Sequence, residues 1–285
     1  MTATAKWIKQ VGWRHLVAIL AVLFSLGPIA FVLSAAVNPL GTLSSSSLVP
    51  SGVSPDNFSR LWSDTDFGHW FVNSVVIAAL ASFLSVFLSA LAAFAFSRRR
   101  FRGRRTGLLA LLLIQMFPQF LAIVALFLIF STVTDLWPPI GFNTWWGMVL
   151  IYLGGALGVN TWLMKGFFDT VPKELDESAH VDGASHVQIF FKILLPLVSP
   201  ILAVSGLLAF IGTINEFLIA NVFLRDGAAK TLSVGLYGLV QGSERNTNFG
   251  MFCAGTLLTA IPTVGVFMYL QRYIVEGLSA GAVKG

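Results

Sequence analysis

Six apolar stretches separated by polar segments set the pattern of this chain. They run over about 16–37, 71–96, 107–130, 144–164, 197–220 and 249–269, and each approaches or exceeds the ~20 residues a helix needs to cross a bilayer core. Six membrane-spanning helices are therefore expected. The first run follows Lys6, Lys9 and Arg14 and ends near Ser34-Ala35-Ala36, which resembles a signal peptide. It is, however, about twice the usual apolar region of one, so a retained helix is expected. Pro28 falls inside the first run, where neighbouring helices can satisfy the carbonyl it frees, and Pro118 falls inside the third. The segment 38–70 is rich in Ser, Gly, Pro and Asp and reads as a solvated loop, with Trp62 and Trp70 marking the return to the interface. Its Asn57-Phe58-Ser59 sequon is read as chance.

The longest polar interruption in the second half is 171–196, VPKELDESAHVDGASHVQIFFKILLP. It predicts two short helices and a hinge. Pro172 suits a first helical turn, and Val171, Leu175 and Ala179 recur on one face. Gly183 can take the left-handed conformation that ends a helix. Ser185 with Gln188 forms the pattern of a capping box opening the second helix. Pro196 and Pro200 stand where that helix gives way to the next apolar run. So well-capped a pair between spans points to docking onto another protein.

Charge fixes the sidedness. Only 11% of the 285 residues are charged while 56% are hydrophobic, far too few charges for the surface of a soluble domain of this size. Arg98, Arg99, Arg100, Arg102, Arg104 and Arg105 follow the second run. By the positive-inside rule that loop is cytoplasmic, and anionic lipid headgroups are a secondary partner for it. With six spans and both termini inside, fourteen of the eighteen Lys and Arg lie on the cytoplasmic side; Arg60, Arg225, Lys230 and Arg245 lie outside. The net charge of +5 thus reports orientation, and nucleic-acid binding is not expected.

Catalytic chemistry is not in view. The sequence has no GxxxxGK[ST] phosphate loop, no GxSxG and no HExxH. Cys253, the one cysteine, excludes an intrachain disulfide and reads as a packing residue. His180 and His186 straddle Gly183 without a ligand spacing, so no metal is expected. Gly154-Gly155-Ala156-Leu157-Gly158 carries small residues at helix-packing spacing; close helix contact is favoured there over an unwound binding site. Glu216 is the one acid well inside an apolar run, where a carboxylate costs about 2.5–3.5 kcal/mol on insertion scales. With Asn215 it is a candidate pathway or gate residue. A structural hydrogen bond to a neighbouring helix, or a place near the outer interface, are equal alternatives.

Glu177-Ser178-Ala179, then Asp182-Gly183-Ala184, then Ile193, Leu195 and Pro196 resemble the EAA signature of ABC-importer permeases. Ser178 in place of the central alanine is the one departure. The likeness extends over nearly the whole chain. Trp70 with Asn73-Ser74, Leu224-Arg225-Asp226 with Thr231-Leu232, and the terminal GLSAGAVKG are similar to the carbohydrate-uptake branch, of the maltose/maltodextrin type. The resemblance implies an all-α polytopic protein with the type I ABC-importer permease fold: one transmembrane domain over 1–285, core spans over 71–269, coupling helices over 171–196 and a cytoplasmic tail over 273–285. It implies a non-catalytic subunit in a bacterial or archaeal cytoplasmic membrane. Its implied partners are a non-identical companion permease, two ABC ATPase subunits that carry ATP and Mg, and an extracytoplasmic sugar-binding protein. Glu174, Glu177, Ser178, Ala179, Asp182, Gly183 and Ala184 would couple to the ATPase, with Ser279, Ala280, Gly281 and Lys284 of the tail reaching it as well. No cofactor of its own is implied. An importer of another solute and an ion-coupled secondary transporter are the competing readings. Within the sugar reading, maltose, maltodextrins and trehalose all remain open.

Overall fold

A computed structural model describes residues 11–282, with backbone alone at 119, 156 and 275–282. The described residues are helical and contain no β-strand. They divide into two compact units, 1–67 with 235–260 and 68–234 with 261–285.

In the first unit α1 (Trp13–Val37) is the expected first span. Ser34, Ala35 and Ala36 are its buried residues, so its apolar sides face outward along most of its length. The segment that follows is more ordered than its composition suggested. It carries α2 (Asp56–Ser63), and Asn57 is buried. The Asn57 amide donates to the carbonyls of Ala36 and Asn38, each at 2.9 Å. That amide satisfies two orphan carbonyls at the end of α1 and offers no accessible glycosylation site. The Gly250 N–H donates to the Gly41 carbonyl at 2.7 Å, and a Cβ at either glycine would meet Asn57 Oδ1, at 2.4 Å from Gly41 and 2.6 Å from Gly250.

The second unit takes up α3 (Phe67–Arg98), α4 (Arg104–Gln115), α5 (Ile123–Leu136) and α6 (Trp145–Thr170). Then follow α7 (Glu174–Val181), α8 (His186–Leu197), α9 (Ser199–Ile214) and α10 (Leu218–Phe223). Finally α11 (Leu232–Leu239) and α12 (Phe249–Ala282) run on into both units. Of the described helices α1, α3 and α12 over Phe249–Ile274 are each long and apolar enough to cross a membrane. Counting each of three bent helix pairs as one span brings the number to six.

The bends correct the expectation of continuous spans. The third run is two helices, α4 and α5, at 80°. Pro118 between them has an extended backbone (ψ 114°) and no N–H to carry the ladder on. The fourth run, α6, starts where expected, with the Thr144 hydroxyl accepting from the Gly147 N–H at 3.0 Å. It continues to Thr170 and is bent by 57° between Gly155 and Leu157. There Gln115 of α4 replaces the lost rung: its amide donates to the Gly155 carbonyl at 2.6 Å and accepts from the Val159 N–H at 2.9 Å. A side chain inserted into the helix ladder is a known cause of such kinks. Gly158 makes the close contact its neighbourhood suggested, since a Cβ there would lie 2.6 Å from the Leu111 carbonyl oxygen.

The fifth run is also interrupted. The 77° turn from α8 to α9 is flanked by Pro196 and Pro200, as expected from their positions. α9 then stops at Ile214, and α10 resumes at Leu218. The helix α11 lies between the fifth and sixth apolar runs, where the pattern predicts no helix; two glycines in an eight-residue run hide it. The sixth run does not end at 269: α12 continues to Ala282, so the expected tail begins within a helix. The side chains of Ser279, Ala280 and Gly281 lie outside the described residues, as do Lys6, Lys9 and Lys284.

Candidate functional site

Local chemistry builds the polar helix pair as predicted. Glu174, Asp176 and Glu177 occupy the first turn of α7, where negative charge complements the helix dipole. At its end the Gly183 N–H donates to the His180 carbonyl at 3.0 Å and the Ala184 N–H to the Ala179 carbonyl at 2.9 Å. With Gly183 at φ +82°, this is a Schellman turn. A Cβ at Gly183 would meet nothing within 4 Å, so backbone conformation, and not space, selects glycine there. The capping box is present in both halves: the Ser185 N–H donates to Gln188 Oε1 at 2.7 Å, and the Gln188 N–H to Ser185 Oγ at 3.3 Å.

The EAA residues divide between two faces. Ala179 is buried in a cluster with Ala90 and Ala93 of α3, Met164 and Phe168 of α6, and Ile189, Phe190 and Leu194 of α8. It fixes α7 to the membrane helices. Leu175, predicted to share its face, is instead 42% exposed. Glu174, Glu177, Ser178, Asp182 and Gly183 are exposed and Ala184 is half-buried. Val181, at 88%, leads the apolar groups on the outward side.

The run of arginines does more than mark topology. Arg98, the last residue of α3, pairs with Asp176, Nε to Oδ2, at 2.7 Å, with side chains only 6% and 16% exposed. Its Nη2 donates to the Val171 carbonyl at 2.8 Å. The preceding Ser97 hydroxyl donates to Asp169 at 2.6 Å, and Asp169 also pairs with Lys165. Two consecutive residues thus tie the end of α3 to the end of α6 and to the loop. No sequence signal separates Arg98 from its neighbours, because its partners are more than 70 positions away. A cavity of about 230 Å³ beside this clamp is lined by Arg99, Arg100, Lys173, Glu177, His180 and His186 among others. The two imidazoles stand perpendicular, with centroids 4.5 Å apart. Among the described residues no group of three His, Cys, Asp or Glu is placed to hold a metal.

At the far end of α3 the structure joins segments that are remote in sequence. Trp70 Nε1 donates to the Gly227 carbonyl at 2.8 Å, and the Asn73 amide to the carbonyls of Ala228 and Lys230 at 2.8 and 3.0 Å. The Leu232 N–H donates to Ser74 Oγ at 2.7 Å, and Trp145 Nε1 to Asn73 Oδ1 at 2.8 Å. The Arg225 guanidinium lies over the rings of Phe127 and Phe142, 4.6 and 5.2 Å from their centroids, a cation–π contact. The motif at Trp70–Ser74 and the one at Leu224–Leu232 are therefore two halves of one clamp.

Glu216 sits in the break between α9 and α10. Its carboxylate accepts from the N–H groups of Ile219 (2.8 Å) and Ala220 (3.0 Å) and from the Tyr152 hydroxyl (2.7 Å). Three donors offset the desolvation of the charge, and two of them are the open N–H groups of α10. The structural hydrogen bond to a neighbouring helix is thus present. Asn215 is exposed and bonds to the Ile211 carbonyl of its own helix at 2.8 Å.

Residues 85–279 match the family model of the binding-protein-dependent transport system inner membrane component. The chain is 38% identical over 283 residues to the galactooligosaccharides transport system permease protein GanQ of Bacillus subtilis (strain 168), covering 98% of this chain and 97% of that protein. It is 40% identical over 230 residues to the maltodextrin transport system permease protein MdxG of the same organism, covering 81% and 80%. Among solved structures, a bacterial ABC transporter that imports the acidic polysaccharide alginate superposes with a TM-score of 0.76 at 23% identity, over 96% of this chain and 99% of that one. The fold, the EAA-like loop and the extent of these matches agree: the chain belongs to the family of inner-membrane permease components of binding-protein-dependent ABC transporters, whose members transport and do not catalyse.

Proposed function

We propose that this chain is one of two non-identical permeases of an ATP-driven importer of di- and oligosaccharides of the maltose/maltodextrin class. The fixed coupling helix carries this reading: α7 is joined to α3 and α6 by a buried ion pair and a shared core, and turns Glu174, Glu177 and Val181 outward. The similarity to permeases named for maltodextrin and galactooligosaccharide transport supports the sugar class. Six spans with both termini in the cytoplasm place the arginine run and α7 on the ATPase side. Glu174, Glu177, Ser178, Asp182 and Gly183 form the docking face, Ala179 and Ala184 set its angle, and the tail at Ser279–Gly281 and Lys284 makes a second contact. ATP and Mg²⁺ belong to the two ATPase subunits, a binding protein delivers sugar from outside, and anionic lipid meets the remaining arginines. Closure of the ATPases moves α7 as a rigid lever and biases an equilibrium between inward- and outward-facing forms.

Reconstitution of the chain with its companion, ATPases and binding protein in proteoliposomes tests this. ATP-dependent uptake of maltose or maltotriose is expected. Uptake driven by an ion gradient without ATPase subunits would refute it in favour of a secondary transporter. ATP-driven uptake of a non-sugar solute alone would refute the substrate class.

A further inference from the structure

Two of the interruptions in the second unit, the bend of α6 and the gap between α9 and α10, border one cavity whose largely apolar wall carries a few polar side chains. A cavity of about 310 Å³ lies between α3, α6 and α9, lined by Ser85, Tyr152, Asn160, Thr213 and Glu216 together with small residues such as Gly155 and Gly212. Tyr152 and Asn160 lie seven and fifteen residues into α6, about 10 and 22 Å along it at 1.5 Å per residue, so the space reaches mid-span. Irregular backbone at that depth is tolerated where it is buried or lines a water-filled cavity, and interrupted helices frame the substrate sites of many transporters. Gly155 sits at the bend of α6 and Gly212 two residues before the end of α9; a side chain at either would take up part of the space.

Its chemistry suits hydroxyl groups. Ser85 is 2% exposed. Among the described residues the side-chain partner of Asn160 is Ser85 alone, at a long 3.4 Å; the amide therefore keeps an N–H and a carbonyl oxygen for a guest. Glu216 and Tyr152 are already committed to each other at 2.7 Å, which holds their oxygens in place at the wall. The volume is near the lower end of the ~300–1,000 Å³ of ligand pockets. The cavity therefore suits one glycosyl ring and not a whole oligosaccharide.

We infer that this subunit holds its own station for a sugar ring, in which Asn160 and Ser85 hydrogen-bond its hydroxyls beside the fixed Tyr152–Glu216 pair. The inference rests on the sugar-importer reading above. A site built to bond a hydroxyl discriminates against an analogue lacking it, because its buried polar groups are then left unpaired.

The test uses the complete reconstituted importer and compares uptake of maltose with that of a set of monodeoxy maltoses. The wild-type chain is expected to take up at least one deoxy analogue about tenfold less well than maltose. Asn160→Ala and Ser85→Ala are each expected to slow maltose and to abolish that discrimination, which a merely misfolded variant would not do. Discrimination by both variants equal to wild type overturns the station and leaves the permease reading intact. Failure of the wild-type complex to take up any sugar removes the reading on which the station rests, and the station with it.

Discussion

Replacing Arg98 with methionine keeps the apolar stem of the side chain and removes the charge that Asp176 and the Val171 carbonyl share. Breaking one side of a buried ion pair costs about 3–5 kcal/mol, because the remaining charge is left uncompensated. Asp176 keeps 16% of its side-chain exposure, so water restores part of its solvation and the lower figure, about 3 kcal/mol, applies. At 1.4 kcal/mol per decade this shifts the local opening of α7 by about 100-fold. Hydrogen exchange in the nanodisc-embedded complex reads it directly at the amides of Glu177, Asp182, Gly183 and Ala184, all bonded within this turn. Exchange there should quicken by about two orders of magnitude. A rise of less than about threefold would refute the clamp. The double change Arg98→Met with Asp176→Leu supplies the control. Arg98 Nη1 and Asp176 Oδ1 are buried without a hydrogen-bond partner among the described residues, so an apolar pair loses little and should restore most of the protection.

Three further outcomes follow from the same geometry. Gly183→Ala should cost about 1–2 kcal/mol through its left-handed backbone alone, whereas Gly183→Pro cannot reach φ +82° and loses the N–H bonded to His180; sugar uptake per ATP hydrolysed should drop sharply for proline, and membrane insertion should not. Glu216→Ala strands the N–H groups of Ile219 and Ala220 and the Tyr152 hydroxyl; at about 1–3 kcal/mol for each unmade bond, the complex should melt several degrees lower, and an unchanged melting temperature would contradict the capping role. Gln115→Leu removes both replacement bonds at the α6 bend and should lower thermal stability by a similar amount, read by the same melt.

What could be seen in the sequence depended on the range of the interaction. The six apolar runs and the turn from α7 to α8 were legible because hydrophobic length, a left-handed glycine and a capping box are each settled within a few residues. The bends at Pro118, Ala156 and Asn215 were not, since an interrupted helix in lipid is as apolar as a straight one. Gln115, an ordinary amide in a run of leucines, becomes meaningful only when Gly155 is 40 positions away and bonded to it. Arg98 was visible as charge and invisible as the partner of Asp176. Trp70 and Asn73 stood out as motif residues, yet only the fold shows that they grip carbonyls more than 150 positions away. Ala179 shows the reverse case: its motif was legible in the sequence, but its face is settled by the aromatic and aliphatic cluster it enters.

The helix α3 has 32 residues and runs unbroken, about 48 Å at 1.5 Å per residue. Trp70, Asn73 and Ser74 fasten one end to the 227–232 segment, while Ser97 and Arg98 fasten the other to Asp169, Val171 and Asp176. The helices α6 and α9 beside it bend or stop partway, so strain entering them is absorbed at their joints. In α3 it has no joint to dissipate in. A displacement imposed at one end of α3 is therefore expected to reach the other, and its terminals are five side chains.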